Sequence, residues 1–253
     1  MTEADEELRA RRAGSFGDHA AAYAEHRPGY PRKALHWGLS GATGTARRVL
    51  DLAAGTGKLT AGLLELDLDV TAVEPDEGML AELSRLLPDV TALTGTAERI
   101  PLPDASMDAV FAGQAFHWFD QQPALREIAR VLRPGGVLVA LWNEDDMSVP
   151  WVAEFKEIGR TAVSRAWAAR EEEISRHPEF ADFENETFRH TQRRTAESLV
   201  QTIATHSHII VAAPDESAAR LSAMREFLAA NPETAAGEFA YPLVADAYRA
   251  RRR

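Results

Sequence analysis

The sequence predicts an α/β fold built on a doubly wound, mostly parallel sheet, and three observations carry that prediction. Between Arg47 and Asp146 short continuous apolar runs alternate with helically spaced apolar residues, the pattern of buried parallel strands joined by crossover helices. A small-residue turn, Ala54-Gly55-Thr56-Gly57, directly follows the first run. The 253 residues are 45% hydrophobic and 26% charged, ordinary values for a globular chain with a sizeable core.

Val49 to Ala53 reads as the first strand, and Leu59, Leu63, Leu64 and Leu66 then put one apolar stripe on a helix. Val70 to Glu74 is the second strand. Met79, Leu80, Leu83, Leu86 and Leu87 repeat the helical stripe until Pro88 stops it. Val90 to Thr94 and Met107 to Ala112 form the third and fourth strands. Leu125, Ile128, Ala129 and Leu132 mark another helix, which Arg133-Pro134-Gly135-Gly136 is expected to end. Val137 to Trp142 is the fifth strand.

Beyond Asn143 the pattern weakens. Trp151 to Ala169, Ala196 to Thr205 and Asp215 to Ala230 look helical, Glu171 to Pro178 reads as a charged connector, and Glu186 to Arg194 and Glu238 to Tyr248 look extended. Residues 1–45, with Phe16, Tyr23, Tyr30 and Trp37, are expected to form a helical cap. One domain over 1–253 is expected, with a lid (1–45), a cofactor-binding core (46–146) and acceptor-side helices and final strands (147–253).

Composition also excludes functions. With no cysteine there are neither disulfides nor thiolate metal sites. The formal charge of 28 − 39 = −11 argues against a nucleic-acid surface, which needs clustered cations. The basic groups Arg9, Arg11, Arg12 and Arg249, Arg251, Arg252, Arg253 are read as solvated, frayed tails. The acidic start is no secretory signal, and no apolar run reaches the roughly 20 residues of a membrane crossing. A cytoplasmic protein without nucleic-acid or membrane partners is expected, as a monomer or homodimer.

The turn after the first strand decides what is bound. Gly55 and Gly57 let backbone approach a ligand at the carboxyl edge of the sheet, where such folds bind them. Thr60 stands where a dinucleotide fingerprint has its last glycine, and Gly57-Lys58 is followed by Leu59 where a triphosphate loop needs Ser or Thr. Asp51, just before the turn, would repel a pyrophosphate by about 4 kcal/mol at 4 Å and an effective dielectric near 20, and would hold a cation equally well. Glu74 ends the second strand where an acid can accept both ribose hydroxyls. A nucleoside bearing positive charge fits, and S-adenosylmethionine is one.

Val49-Leu50-Asp51-Leu52-Ala53-Ala54-Gly55-Thr56-Gly57 resembles the first motif of class I S-adenosylmethionine-dependent methyltransferases. Val73-Glu74-Pro75, Met79-Leu80, Ala97-Glu98, Ile100-Pro101-Leu102-Pro103, Asp108-Ala109-Val110 and Leu132-Arg133-Pro134-Gly135-Gly136 are similar to their small-molecule branch. Phe16-Gly17, Tyr23, Arg27-Pro28-Gly29-Tyr30-Pro31, Gln114-Ala115-Phe116-His117-Trp118-Phe119 and Trp142-Asn143 resemble the group that includes trans-aconitate-type methyltransferases. The likeness implies a seven-stranded Rossmann-like sheet. It further implies that Ala53, Gly55, Thr56 and Gly57 cradle the methionine portion, that Asp51 binds its ammonium, and that Glu74, with Pro75 beside it, holds the ribose. Met79 would cover the adenine, Thr96, Ala97 and Glu98 would line its edge, and Gln114 would complete the cofactor site. Ala53 and Thr96 depart from the Gly and Asp usual in the family, which implies a crowded turn and one uncharged contact.

For the acceptor, the resemblance points to Phe16, Tyr23, Arg27, Phe116, His117, Trp118 and Asn143. Tyr23 and Arg27 lie four apart on one helical face, where Arg27 could meet a carboxylate. His117 is the candidate catalytic residue, as base or hydrogen-bond donor, with packing against Trp118 as the alternative. Proximity alone can supply about 7–11 kcal/mol to a methyl transfer, so a base is optional, and a carboxylate acceptor needs none. No metal is expected. Asn143, Glu144, Asp145 and Asp146 could offer oxygen ligands, but Ala112-Gly113-Gln114 brings no opposing carboxylate. The expected activity is transfer of a methyl from S-adenosylmethionine to an oxygen or nitrogen of a small molecule, the alternative being a non-catalytic binder of the same cofactor.

Overall fold

A computed structural model of the chain describes residues 28–161, 174–204 and 207–253. Most of the expected N-terminal lid, with Phe16, Tyr23 and Arg27, lies outside these residues, as does His206. The helix expected over Trp151 to Ala169 is corrected: it covers Pro150–Ile158 and stops at a turn on Gly159, within the described residues.

The elements in chain order are α1 (Arg32–Leu39), β1 (Arg48–Leu52), α2 (Lys58–Leu64), β2 (Asp69–Glu74), α3 (Glu77–Leu86), β3 (Thr91–Thr94) and β4 (Met107–Gly113). A 3-10 turn (Phe116–Trp118), α4 (Gln121–Val131), β5 (Leu132–Asp145), α5 (Pro150–Ile158) and β6 (Glu184–Arg194) follow. The chain ends with α6 (Ala196–Ala204), α7 (Ser207–Ile210), α8 (Pro214–Ala230) and β7 (Phe239–Arg251). The strands form one seven-stranded sheet in the order β3-β2-β1-β4-β5-β7-β6. The pairs β2–β3, β1–β2, β1–β4 and β4–β5 are parallel. Strand order therefore reverses between β1 and β4, and a ligand site is expected at their carboxyl ends.

The residues divide into two compact units: Gly29–Asn143 with 173–188 and Ala245–Arg253, and Glu144–Glu172 with Arg189–Val244. In the first, alternation along the central strands builds two cores. Leu50, Leu52, Val110, Ala112, Leu138 and Ala140 pack with Leu125 and Ile128 of α4. Val49, Ala109, Phe111, Val137 and Val139 pack with Leu59 and Leu63 of α2 and with Leu35 of α1. Each such Leu or Val adds roughly 1.5–3 kcal/mol of burial. Both faces being covered explains why these strands read as continuous apolar runs. In the second unit, Trp151 and Phe155 of α5 pack with Leu199 and Val200 of α6, Leu228 of α8 and Tyr241 of β7.

Two expectations are corrected. Arg133 to Gly136 is not only a helix stop, because β5 already begins at Leu132. Met107 pairs with Leu132 and Ala109 with Val137, so the four residues bulge out, with Gly135 at φ +76°. The bulge lets Arg133 Nε donate to Asp108 Oδ1 at 2.6 Å. The C-terminal arginines are not a frayed tail. Arg249 lies over the Trp37 ring at 4.2 Å and pairs with Glu184, Arg251 Nε donates to the Gly41 carbonyl at 2.7 Å, and Arg252 N donates to the Gly136 carbonyl at 2.8 Å. Among the described residues no helix is long and apolar enough to cross a membrane.

Candidate functional site

The site is built from β1 outward. Asp51 is 1% exposed at the end of β1, between Ala72 of β2 and Phe111 of β4. Its Oδ2 accepts a 2.6 Å hydrogen bond from Thr60 Oγ1, a residue of α2 that is itself wholly buried. Its Oδ1 is buried with no partner, and so is Thr56 Oγ1 in the turn. Buried polar atoms are nearly always satisfied, so two such oxygens in adjoining segments suit the polar groups of a bound ligand. Burial pushes the Asp51 carboxyl up to about 7, the Thr60 hydrogen bonds pull it down, and the Glu74 charge adds to the rise.

The turn is held in left-handed backbone. Ala53 has φ +57°, Gly55 +58° and Gly57 +87°. At Ala53 a side chain pays about 1–2 kcal/mol for a conformation glycine adopts freely, so the departure from the family's glycine appears as strain. A Cβ on Gly55 would meet nothing within 4 Å, whereas one on Gly57 would lie 2.9 Å from Leu87 Cδ1. Gly57 thus serves packing beneath the turn, and Gly55 borders open space. Glu74 reaches back from β2: its Oε2 accepts from Gly55 N and its Oε1 from Asp76 N, both at 2.9 Å. Burial raises its carboxyl above the usual range as well. A carboxylate has about four acceptor positions, so capacity for hydroxyl donors remains.

Asp76 caps α3, its Oδ1 accepting from Met79 N at 2.9 Å, which fixes Met79 as a buried residue in the first turn. Pro75 beside it is exposed. Beyond β3, Thr96 is exposed and bridges to Arg99, Ala97 is buried, and Glu98 Oε1 accepts from Asp120 N at 2.9 Å.

At the end of β4, Gln114 has φ +56°, and its Nε2 donates to the Asn143 carbonyl at 2.6 Å. Asn143 Nδ2 in turn donates to the Gly29 carbonyl at 2.9 Å. This tie carries Tyr30 to the switch point, where a Cβ on Gly113 would lie only 2.6 Å from the Tyr30 phenol oxygen. Tyr30 is a site neighbour that the sequence pattern does not single out: it belongs to the Arg27-to-Pro31 segment, but Gly113, which it meets, is 83 residues away in sequence. Phe116 is 1% exposed in the core and packs on Phe119 with centroids 5.2 Å apart. His117 is half-buried against Trp118 at 4.8 Å, and Trp142 Nε1 donates to its Nδ1 at 3.4 Å. Trp142 also meets Tyr248 edge-on at 5.5 Å.

The carboxylates Asp145 and Asp146 at the end of β5 have protein partners. Asp145 accepts from Lys156 Nζ and Tyr241 Oη, and Asp146 from Ser148 and Arg189. Among the described residues no group of three or more His, Asp or Glu side chains could hold a metal ion.

Taken together, an orphaned buried acid oxygen, an orphaned hydroxyl and a turn open at Gly55 complement a small cationic ligand and would repel a phosphate. Residues 50–140 match a family model described as a methyltransferase domain. An uncharacterised methyltransferase of Mycobacterium tuberculosis is 42% identical over 221 residues, 87% of this chain and 88% of its own length. A demethylmenaquinone methyltransferase of Beutenbergia cavernae is 37% identical over 145 residues, 56% of this chain and 58% of that one. The solved structure of a candidate type II methyltransferase from Anaeromyxobacter dehalogenans is 25% identical, with a TM-score of 0.67 over 89% of this chain and 97% of that chain. A buried acid at the end of β1, a left-handed glycine turn and these likenesses lead to one assignment: the chain belongs to the S-adenosylmethionine-dependent methyltransferases.

Proposed function

We propose that the protein transfers a methyl group from S-adenosylmethionine to an oxygen or nitrogen of a small molecule, a carboxylate being the favoured acceptor, as in the trans-aconitate-type branch. The observation that carries the cofactor reading is Asp51 Oδ1, a buried acid oxygen without a donor. Asp51 and the turn from Ala53 to Gly57 would hold the methionine end, with Thr56 Oγ1 offering a hydroxyl to it. Glu74, fixed by two backbone donors, would accept the ribose hydroxyls. Met79, Ala97 and Thr96 would border the adenine, and Gln114 would close the site at β4. The bound sulfonium supplies an already activated methyl.

What the chain then contributes is orientation. His117 Nδ1 accepts from Trp142 Nε1 at 3.4 Å, so the protein already engages one nitrogen of the ring, which suits an orienting role better than that of a base. A carboxylate, which has no proton to lose, is the acceptor that needs no base. Trp118 and Asn143 border the same edge. By the family resemblance Arg27, Tyr23 and Phe16, which lie outside the described residues, would be further acceptor residues, and Phe116 would support the set from the core. Because one relative is named a demethylmenaquinone methyltransferase, demethylated quinones and phenols form the second arm of the acceptor screen.

The first test is a thermal-shift titration with S-adenosylmethionine, S-adenosylhomocysteine and NAD. Stabilisation by both sulfur nucleosides is expected, and a response to NAD alone would overturn the reading. Transfer of labelled methyl to small acids, phenols or amines then separates an enzyme from a binder, and label on acids supports the carboxylate reading.

A further inference from the structure

Thr60 stands where a dinucleotide-binding turn keeps a small residue for close helix–strand packing. Here it is wholly buried, and its hydroxyl is spent on Asp51 Oδ2 at 2.6 Å. The consequence is an asymmetric acid. One oxygen is fixed by the protein, and the other, Oδ1, is left without a partner.

The surroundings of Asp51 supply no positive charge. Its register partners Ala72 on β2 and Phe111 on β4 are apolar, α2 contributes the Thr60 hydroxyl, and the charged group facing it from β2 is Glu74, another acid. No cation pairs with it among the described residues. A carboxylate so placed is costly to ionise before a ligand arrives. A ligand ammonium reverses that balance, because an opposite charge at contact favours the ionised form.

Building on the cofactor reading above, we propose that Thr60 is a positioning residue for the cofactor: it fixes one oxygen of Asp51, leaves the other for the ligand ammonium, and keeps the acid poised to release its proton to solvent when that ammonium binds. The step is a simple ionisation. The Asp51 O–H bond breaks, the electron pair stays on the carboxylate, and the proton passes to the buffer. Burial places the Asp51 carboxyl at about 7 while the Thr60 hydrogen bonds pull it downward, so losing the hydroxyl moves it up.

The test is calorimetric titration of the full chain with S-adenosylhomocysteine in phosphate and in imidazole, whose ionisation heats differ, between about pH 6 and 7. There the ligand amine, which stands beside a free carboxylate and is more basic than a peptide N-terminus, stays charged. Wild type should release about half a proton per site near pH 7, rising toward one near pH 6, since a group with its midpoint at about 7 is half protonated there. Thr60→Val, which keeps the shape, should bind about tenfold or more weakly near pH 7 and release closer to a whole proton, as expected for removing a hydrogen bond to a charged group. Thr60→Ser should restore both quantities, and Asp51→Asn should release none. A merely structural threonine would weaken binding without changing the proton count. Buffer-independent heats in wild type, or a Thr60→Val count equal to that of wild type, would overturn the proposal, and the wild-type measurement stands even if a variant fails to fold. Absence of any wild-type binding would instead remove the cofactor reading beneath it.

Discussion

A carboxyl group buried without a cation is paid for in stability, and Asp51 is such a group. Its folded-state value is raised from 3.8 to about 7, so between these values the folded chain holds a proton that the unfolded chain has lost. The stability this group contributes is therefore complete below about pH 4 and is lost as pH rises through about 7. Between about pH 5 and 8 wild type should lose about 2–3 kcal/mol more than Asp51→Asn, read from urea midpoints across the range. Parallel pH slopes for the two proteins would mean that Asp51 is ionised across this range without any ligand added. Glu74, also raised by burial, acts in the same direction and is common to both proteins. Asp51, Glu74 and the glycines were readable in the sequence because their order along one strand–turn–helix unit fixes their neighbourhood. Tyr30 and the Asn143–Gly29 hydrogen bond, which spans 114 residues, were not, because only the closed sheet brings those segments together.

At the scale of the element, the turn between β1 and α2 divides its labour between two glycines. Both have left-handed φ, so an alanine at either costs about 1–2 kcal/mol in backbone strain. At Gly57 the added carbon would also lie 2.9 Å from Leu87 Cδ1 and 3.1 Å from Leu83 Cγ, so overpacking adds about 1–3 kcal/mol. At Gly55 it enters open space. Gly57→Ala should therefore lose the more stability, and Gly55→Ala should lose the more affinity for S-adenosylhomocysteine, by about tenfold or more if the carbon costs a contact worth about 1.4 kcal/mol. Wild-type affinity in Gly55→Ala would show that the open space is not used by the ligand. The same scale shows where periodicity misleads. Arg133-Pro134-Gly135-Gly136 carries helix-stop residues, yet its paired neighbours Leu132 and Val137 make it a bulge in β5, a feature set by register with β4. The apolar runs of β1, β2 and β4 were legible because both faces of the sheet are covered, whereas β6 and β7 alternate between more and less buried positions and so carry no continuous apolar run.

For the molecule as a whole, the end of the chain closes the first unit. Composition alone suggests that four arginines within the last five residues should trail in solvent, since nothing in their order names a partner. In the structure each of three has its own carbonyl or ring. Arg249 stacks on Trp37 and donates to that residue's carbonyl, Arg251 bonds Gly41, and Arg252 donates to the Gly136 and Leu132 carbonyls and returns its own carbonyl to Gly135 N at 3.1 Å. The Arg249–Glu184 ion pair has one exposed partner and adds little, whereas the stacking contributes about 0.5–1 kcal/mol and each charge-assisted bond about 1.5–3 kcal/mol. These bonds link β7 to the α1 segment and to the β5 bulge, which hold the Gly29–Tyr30 approach and the Asn143 end of the site in the same unit. Deleting Arg249–Arg253 should therefore cost about 3 kcal/mol or more in urea unfolding, and Arg249→Ala alone about 1–2 kcal/mol. A truncated chain with an unchanged midpoint would mean that the tail is as solvated as its composition suggests and that the first unit is complete without it.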